Sequence, residues 1–117
     1  MDITSVLKTY YPNAEWIVTD EDYKQLQWLS PDIPKPTRAQ VEAKIAELKA
    51  AEPMRLLRIE RDRLIAETDW WVLPDRTPTD EQLAYRQALR DLPDNSTPVL
   101  DNTTRLGISG VTWPTKP

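Results

Sequence analysis

The stretch that decides the fold runs from residue 54 to residue 92 and reads MRLLRIERDRLIAETDWWVLPDRTPTDEQLAYRQALRDL. Two helical patterns in this stretch flank an aromatic connector that contains Pro74 and Pro78. Thr79 and Gln82 have the spacing of a capping box, which begins the second helix. Residues 54–93 are therefore predicted to form an antiparallel helical hairpin with its tryptophans at the bend. The two helices are expected to pack through Leu57, Leu64, Ile65, Leu83, Leu89 and Leu92.

The bend carries two consecutive tryptophans, Trp70 and Trp71. Because adjacent residues point to different sides, a two-helix hairpin cannot easily bury both rings. One ring is expected to pack under the hairpin, and the other ring, together with Trp113, is expected to contact a partner. In the alternative, the C-terminal tail folds back and Trp113 completes the core of the chain itself.

Residues 1–33 have the pattern of a small module with one helix and one β-hairpin. Asp2 is placed to cap an amphipathic helix. The apolar side of this helix contains Ile3, Val6, Leu7 and Tyr10. Two strands are predicted at residues 15–18 and 23–30. In the resulting hairpin, Trp16 and Trp28 are expected to form a cross-strand pair.

The prolines of residues 30–36 predict a stiff extended segment, which is either a domain boundary or an ordinary loop within one domain. Thr37 and Gln40 form a first capping box, from which a long helix begins. The apolar stripe of this helix is narrow, which suits either a strut on one neighbour or a self-association helix. Pro53 is expected either to stop the helix at Glu52 or to kink it.

The predicted fold class is therefore α+β. It combines a small N-terminal β-hairpin module, a proline-rich linker, a long helix and a C-terminal antiparallel helical hairpin with an extended tail. The predicted segments are the α/β-hairpin module 1–33, the linker and strut helix 34–53, the helical hairpin 54–93 and the tail 94–117. Short tail strands are expected at residues 99–100 and 106–113.

The composition excludes several classes of function. The 117 residues include no cysteine and no histidine, which removes disulfides, thiolate chemistry, the usual general base and the usual metal ligand. Asp20, Glu21 and Asp22 lack the spacing of a calcium loop and are expected to form a solvated turn. The net charge of −4 argues against nucleic acid, and no apolar run reaches the roughly 20 residues of a membrane span. We therefore expect no enzyme, no cofactor, no metal site, and neither a nucleic-acid nor a membrane partner.

Four stretches of the C-terminal half, in this order, resemble one known family: Arg61–Trp70, Leu73–Asp75, Tyr85–Pro93 and Trp113–Pro117. That family is the phage tail assembly chaperones. The doubled tryptophan at the bend and the long segment before Trp113 depart from the family pattern. The N-terminal stretches YPNAEW (11–16), WL (28–29) and PKPT (34–37) resemble a small module of other phage tail-gene products.

The resemblance implies a bacteriophage protein that binds a tail-fibre or other tail polypeptide and aids its folding, trimerisation or attachment. It implies action in the host cytoplasm during assembly, with the virion tail as the other location. The residues expected to contact the partner are Trp70, Trp71, Leu73, Tyr85, Trp113, Trp16 and Trp28. The alternative is a permanent virion component, such as a tail-fibre or baseplate adaptor subunit. Either protein could form a homo-oligomer.

Overall fold

The computed structural model describes residues 2–117, and the chain forms two compact units with a boundary between Ala51 and Glu52. The first unit contains helix α1 (Ile3–Tyr10), strand β1 (Trp16–Ile17), a 3₁₀ helix (Tyr23–Gln25) and strand β2 (Gln27–Trp28). Helix α2 (Arg38–Glu67) begins in the first unit and ends in the second. The second unit adds a 3₁₀ helix (Asp69–Val72), helix α3 (Asp80–Asp91) and strands β3 (Val99–Leu100) and β4 (Ile108–Ser109). The expected α+β class is confirmed.

Helix α1 begins where the sequence predicts. The Asp2 carboxylate accepts hydrogen bonds from the backbone N–H and the hydroxyl of Ser5, both at 2.8 Å. The buried core of the first unit contains Ile3, Val6, Leu7, Leu26 and Val41. Tyr10, expected on the apolar side of α1, is 38% exposed, and its hydroxyl donates to the Glu47 carboxylate at 3.2 Å.

The acidic turn before the first 3₁₀ helix is largely exposed, as expected, and it also caps helices. Asp20 and Glu21 have φ angles of 55° and 53°, in the left-handed region. The Glu21 carboxylate accepts hydrogen bonds from the backbone N–H and the hydroxyl of Thr4, in the first turn of α1. Asp22 accepts from the Lys24 N–H at 3.0 Å and begins the 3₁₀ helix. The turn therefore satisfies backbone donors that each helix start leaves free.

Strands β1 and β2 are antiparallel with Trp16 opposite Trp28, which confirms the expected cross-strand pair. Both strands are shorter than predicted. The start of the expected second strand is a 3₁₀ helix, which Asp22 caps. The Trp28 indole donates to the Ile33 carbonyl at 2.6 Å, and the Tyr23 hydroxyl donates to the Pro36 carbonyl at 2.5 Å. These bonds hold the proline-rich segment on the first unit.

Helix α2 begins at the predicted capping box. The Thr37 N–H donates to the Gln40 side-chain oxygen at 2.9 Å, and the Gln40 N–H donates to the Thr37 hydroxyl oxygen at 3.2 Å. The helix then continues through Pro53 to Glu67. The alternative in which Pro53 stops the helix is therefore wrong, although the proline still removes one helical hydrogen bond.

The tail of the second unit contains a small antiparallel sheet. Strand β3 lies where the sequence predicts it, whereas β4 covers only two residues of the longer strand expected there. Val99 lies opposite Ser109 and Leu100 opposite Ile108. Gly107 and Gly110 flank β4 with φ angles of 78° and 81°, which side chains other than glycine rarely adopt.

Asp2→Ala is expected to lower the free energy of unfolding by about 1 kcal/mol at pH 7, because the Ser5 N–H loses its cap. The Ser5 hydrogen bonds hold the pKa of the Asp2 carboxyl below its ordinary value of 3.8. The stabilisation is therefore present above that value and is lost as the pH falls through the lowered pKa of the folded protein. Urea denaturation of the wild type and of Asp2→Ala at pH 7 and pH 3 measures the difference between their free energies of unfolding. This difference should be smaller at pH 3.

Thr9→Ser, an exposed change on the same helix between residues of similar helix propensity, is the control and should leave the unfolding curve nearly unchanged. If Asp2→Ala unfolds like the wild type at pH 7, the cap does not contribute.

Candidate functional site

The connector between α2 and α3 separates its two tryptophans, as their adjacency predicts. Trp71 is 5% exposed, and its ring centroid lies 6.1 Å from that of Tyr85. Leu89 completes the buried cluster, and Leu64 and Ile65 of α2 pack against it. Trp70 is 49% exposed and contacts the Trp71 ring edge-on, with 6.1 Å between centroids. The Trp71 indole therefore packs in the core, while the Trp70 indole faces solvent.

Three apolar side chains of the connector are exposed together. Trp70, Val72 and Leu73 are 49%, 43% and 49% exposed, and we call them the connector patch. The guanidinium of Arg76 lies 4.7 Å from the centroid of the Trp70 ring, which is a cation–π distance. Arg76 thus covers one face of the indole in the free protein while keeping its own charge in water.

A buried arginine of α3 holds the end of α2. The Nη1 atom of Arg86 lies 2.7 Å from the Thr68 hydroxyl, 3.2 Å from the Ile65 carbonyl and 3.2 Å from an Asp69 carboxylate oxygen. The Arg86 side chain is 7% exposed, whereas the Asp69 side chain is 64% exposed. The Thr68 N–H and hydroxyl also donate to the Ile65 carbonyl, at 2.9 and 3.0 Å, so Arg86 acts as a cap from a different helix that reinforces an end Thr68 already bonds.

The sequence reasoning missed Arg86 and misplaced Leu83. Leu83 was expected in the core, but it is 45% exposed, because α3 turns Tyr85, Arg86 and Leu89 inward. The spacing could have indicated this orientation, since residues 85, 86 and 89 share one face of a helix. The arginine on that face would then have stood out as a charge in need of partners.

The C-terminal tail contacts α2 through basic side chains. Arg105 lies 3.5 Å from Glu60, and Lys116 lies 3.5 Å from Glu67. The Lys116 ammonium also lies 5.8 Å from the centroid of the Trp71 ring. Glu60 is 7% exposed, and hydrogen bonds from Arg63 hold the pKa of its carboxyl below the ordinary value. The partly buried carboxylate therefore stays charged and can pair with the tail.

The residues predicted to contact a partner fall into three groups. Trp70 and Leu73 are exposed, whereas Trp71 and Tyr85 lie in the core. Trp113 in the second unit is half-buried, and so are Trp16 and Trp28 in the first unit. Burial also raises the pKa of the Tyr85 phenol, which stays neutral. Contact of any of the seven with a partner stays a prediction.

Residues 2–117 contain no group of three or more histidine, cysteine, aspartate or glutamate side chains placed to hold a metal ion. Within the same residues, no helix combines the length and the apolar character needed to cross a membrane.

A protein-family model described as Phage tail assembly chaperone protein matches residues 54–117. The match spans 64 of the 117 residues, counted from 54 to 117 inclusive. It contains the connector patch, the Arg86 cap and the whole tail. No curated protein and no solved structure matches the chain.

Trp71→Ala is expected to lower the free energy of unfolding by about 3–5 kcal/mol, because it opens a cavity in the core. Trp70→Ala should cost less than about 1 kcal/mol, since half of that side chain is already in water. Urea denaturation of the two variants measures the difference. Equal losses would contradict the division between a core indole and a surface indole.

Arg86→Met keeps the apolar stem but removes the donors, and it is expected to cost about 2–3 kcal/mol of unfolding free energy. Asp69→Asn should cost less than about 1 kcal/mol, because the Asp69 carboxylate is exposed and its ion pair is screened. Thermal and urea denaturation compare the two variants. A larger loss in Asp69→Asn would show that the ion pair, not the helix cap, carries the contact.

Proposed function

Because the chain belongs to the phage tail assembly chaperone family, we propose that it binds a tail-fibre polypeptide in the host cytoplasm. There it aids the folding, trimerisation or attachment of the fibre. The connector patch makes the contact, and the fibre leaves when its own subunits close over the surface that the patch had covered.

The observation that carries the proposal is the exposed connector patch beside a complete core. Trp71 already fills the interior at 5% exposure, so Trp70 is not needed there. A tryptophan side chain can bury roughly 150–250 Å². Covering the exposed half of Trp70 would therefore contribute about 2–3 kcal/mol at the usual 25 cal/mol per Å². Burial of the patch by a second molecule would therefore be favourable.

The size of the patch favours a reversible contact. Three half-exposed side chains offer a few hundred Å² at most, well below the roughly 800 Å² that each partner contributes to a stable interface. Slow-folding β-rich fibre subunits expose apolar surface and strand edges that aggregate. A weak cover delays that aggregation and still allows the trimer to displace it.

Co-expression with the tail-fibre polypeptide of the same phage tests the proposal. Wild-type protein is expected to raise the yield of soluble, trimeric fibre, and the double variant Trp70→Ala/Leu73→Ala should lose most of that gain. The reason is that both changes remove exposed apolar contact and leave the core intact. Native gel electrophoresis measures the yield of trimer.

Leu83→Ala is the matched control, because it removes an exposed leucine of the same unit that lies outside the patch. If the double variant assists the fibre as well as the wild type does, the patch is not the contact. Mass spectrometry of purified virions separates the rival function: a permanent subunit is present at fixed stoichiometry, whereas a chaperone is absent.

A further inference from the structure

Strand β3 has an open outer edge. It forms a two-stranded sheet with β4 alone. The Asp101 N–H donates to the Gly107 carbonyl at 2.8 Å, as in the hydrogen-bonded pairs of an antiparallel ladder, whereas the Gly107 N–H donates to the Thr104 carbonyl at 3.2 Å. Because such pairs alternate along an antiparallel ladder, the next pair, Leu100 with Ile108, is not hydrogen-bonded. The N–H and C=O of Leu100 therefore point away from β4.

The two outer edges of the sheet differ. On the β4 side, the outward carbonyl of Ile108 accepts a hydrogen bond from the Thr104 hydroxyl at 2.8 Å. On the β3 side, none of the backbone hydrogen bonds outside the ladder in residues 2–117 involves Leu100. The β3 edge thus offers one free donor and one free acceptor.

The side chains of β3 are exposed on both faces. Val99 and Leu100 are 53% and 54% exposed, and successive strand residues point to opposite faces. Open edges are usually protected by lysine or by charged residues that point inward. No lysine or arginine occurs between Arg90 and Arg105. The edge is therefore apolar and has no basic residue, while its two-residue length and Pro98, just before Val99, limit the free backbone groups to those of Leu100.

The hairpin that presents this edge is held by its own loop. The Asp101 carboxylate accepts from the Thr103 N–H at 3.0 Å, and the Thr104 N–H donates to the Asp101 carbonyl at 3.3 Å. The Thr103 hydrogen bonds also lower the pKa of the Asp101 carboxyl, which stays charged. Gly107 completes the turn with a φ of 78°. Because the loop is already ordered, binding of a docking strand would carry no entropy cost for ordering it.

The charge around β3 selects between possible occupants. Residues 91–104 contain Asp91, Asp94 and Asp101 but no basic residue. A second copy of the chain would bring these like charges together, whereas basic residues at the ends of a foreign strand would be attracted.

We propose that the β3 edge docks an extended segment of a client tail polypeptide as a third strand. The segment has an apolar, β-branched centre and lysine or arginine at its ends. Backbone hydrogen bonds to Leu100 provide the register, and Val99 and Leu100 contact the alternate side chains of the segment. The identity of the client rests on the proposed function, whereas the docking of a strand at the β3 edge does not depend on it.

The test titrates the isotope-labelled full chain with a blocked peptide of alternating valine and threonine flanked by lysines. NMR spectra are expected to show the largest shifts at the backbone amides of residues 99–101. Leu100→Pro should weaken binding about tenfold, since it removes one outward donor and part of the apolar contact. Proline fits here because that N–H takes no part in the ladder. Leu100→Thr, which keeps the donor, should weaken binding less.

A second measurement keeps the proposal testable if Leu100→Pro does not fold. The same peptide with alternate backbone nitrogens methylated should not bind the wild-type chain, because it can no longer form the third strand. Equal binding of the methylated peptide would overturn the proposal. So would equal binding of a glutamate-flanked peptide, which would remove the charge argument.

Three further outcomes show which of the two proposals a failure contradicts. If the wild-type chain dimerises in sedimentation experiments and Leu100→Pro abolishes the dimer, the occupant is a second copy and the proposal is wrong. If the peptide docks on β3 but the wild-type chain gives no gain in the fibre co-expression assay, the proposed function fails and the edge stands. If co-expression succeeds while residues 99–101 do not respond to the peptide, the edge proposal alone fails.

Discussion

The second unit depends on the contact between Arg86 and the last turn of α2. One guanidinium nitrogen reaches the Thr68 hydroxyl and the Ile65 carbonyl, at the point where α2 gives way to the 3₁₀ helix of the connector. In a 3₁₀ helix successive residues are rotated by about 120°, since three residues make a turn. Once Arg86 has fixed the start of this turn, Trp71 enters the core and Trp70 leaves it. The exposed indole is thus a consequence of how α2 ends.

The parts of the fold that follow from local chemistry could be predicted from the sequence. Asp2 and both capping boxes place helix starts correctly, because a cap is decided by residues three positions apart. The Trp16–Trp28 pair follows from two short β-forming runs joined by one turn. The different environments of Trp70 and Trp71 could be predicted because the side chains of adjacent residues point in different directions.

The rest could not be predicted, because it depends on contacts distant in sequence. Hydrophobicity alone assigns Leu83 to the core and Arg86 to solvent, but the cap on α2 rotates α3 to the opposite arrangement. Residues 23–25 alternate like a strand, yet the Asp22 cap makes them a 3₁₀ helix. A proline within a helical sequence usually ends the helix, yet α2 continues past Pro53. Arg86 and Asp22 each have a specific hydrogen-bond partner, Thr68 and Lys24. Proline costs about 3 kcal/mol in a helix interior, and the rest of the 30-residue helix outweighs that cost.

The two contact surfaces that we propose for the second unit, the connector patch and the β3 edge, are both small. Each would be too small to hold a folded partner for long, and in these proposals they recognise different chemistry: the patch contacts apolar side chains, and the edge pairs with backbone. A client that exposes both a strand and an apolar patch would bind more tightly than through either contact alone. The reason is that the first contact holds the second at a high effective concentration. Once folding hides either feature, that advantage disappears and the client is released. An incompletely folded β-rich subunit exposes both features, whereas its assembled trimer exposes neither. The affinity of such a pair of surfaces for the client would therefore fall as assembly proceeds.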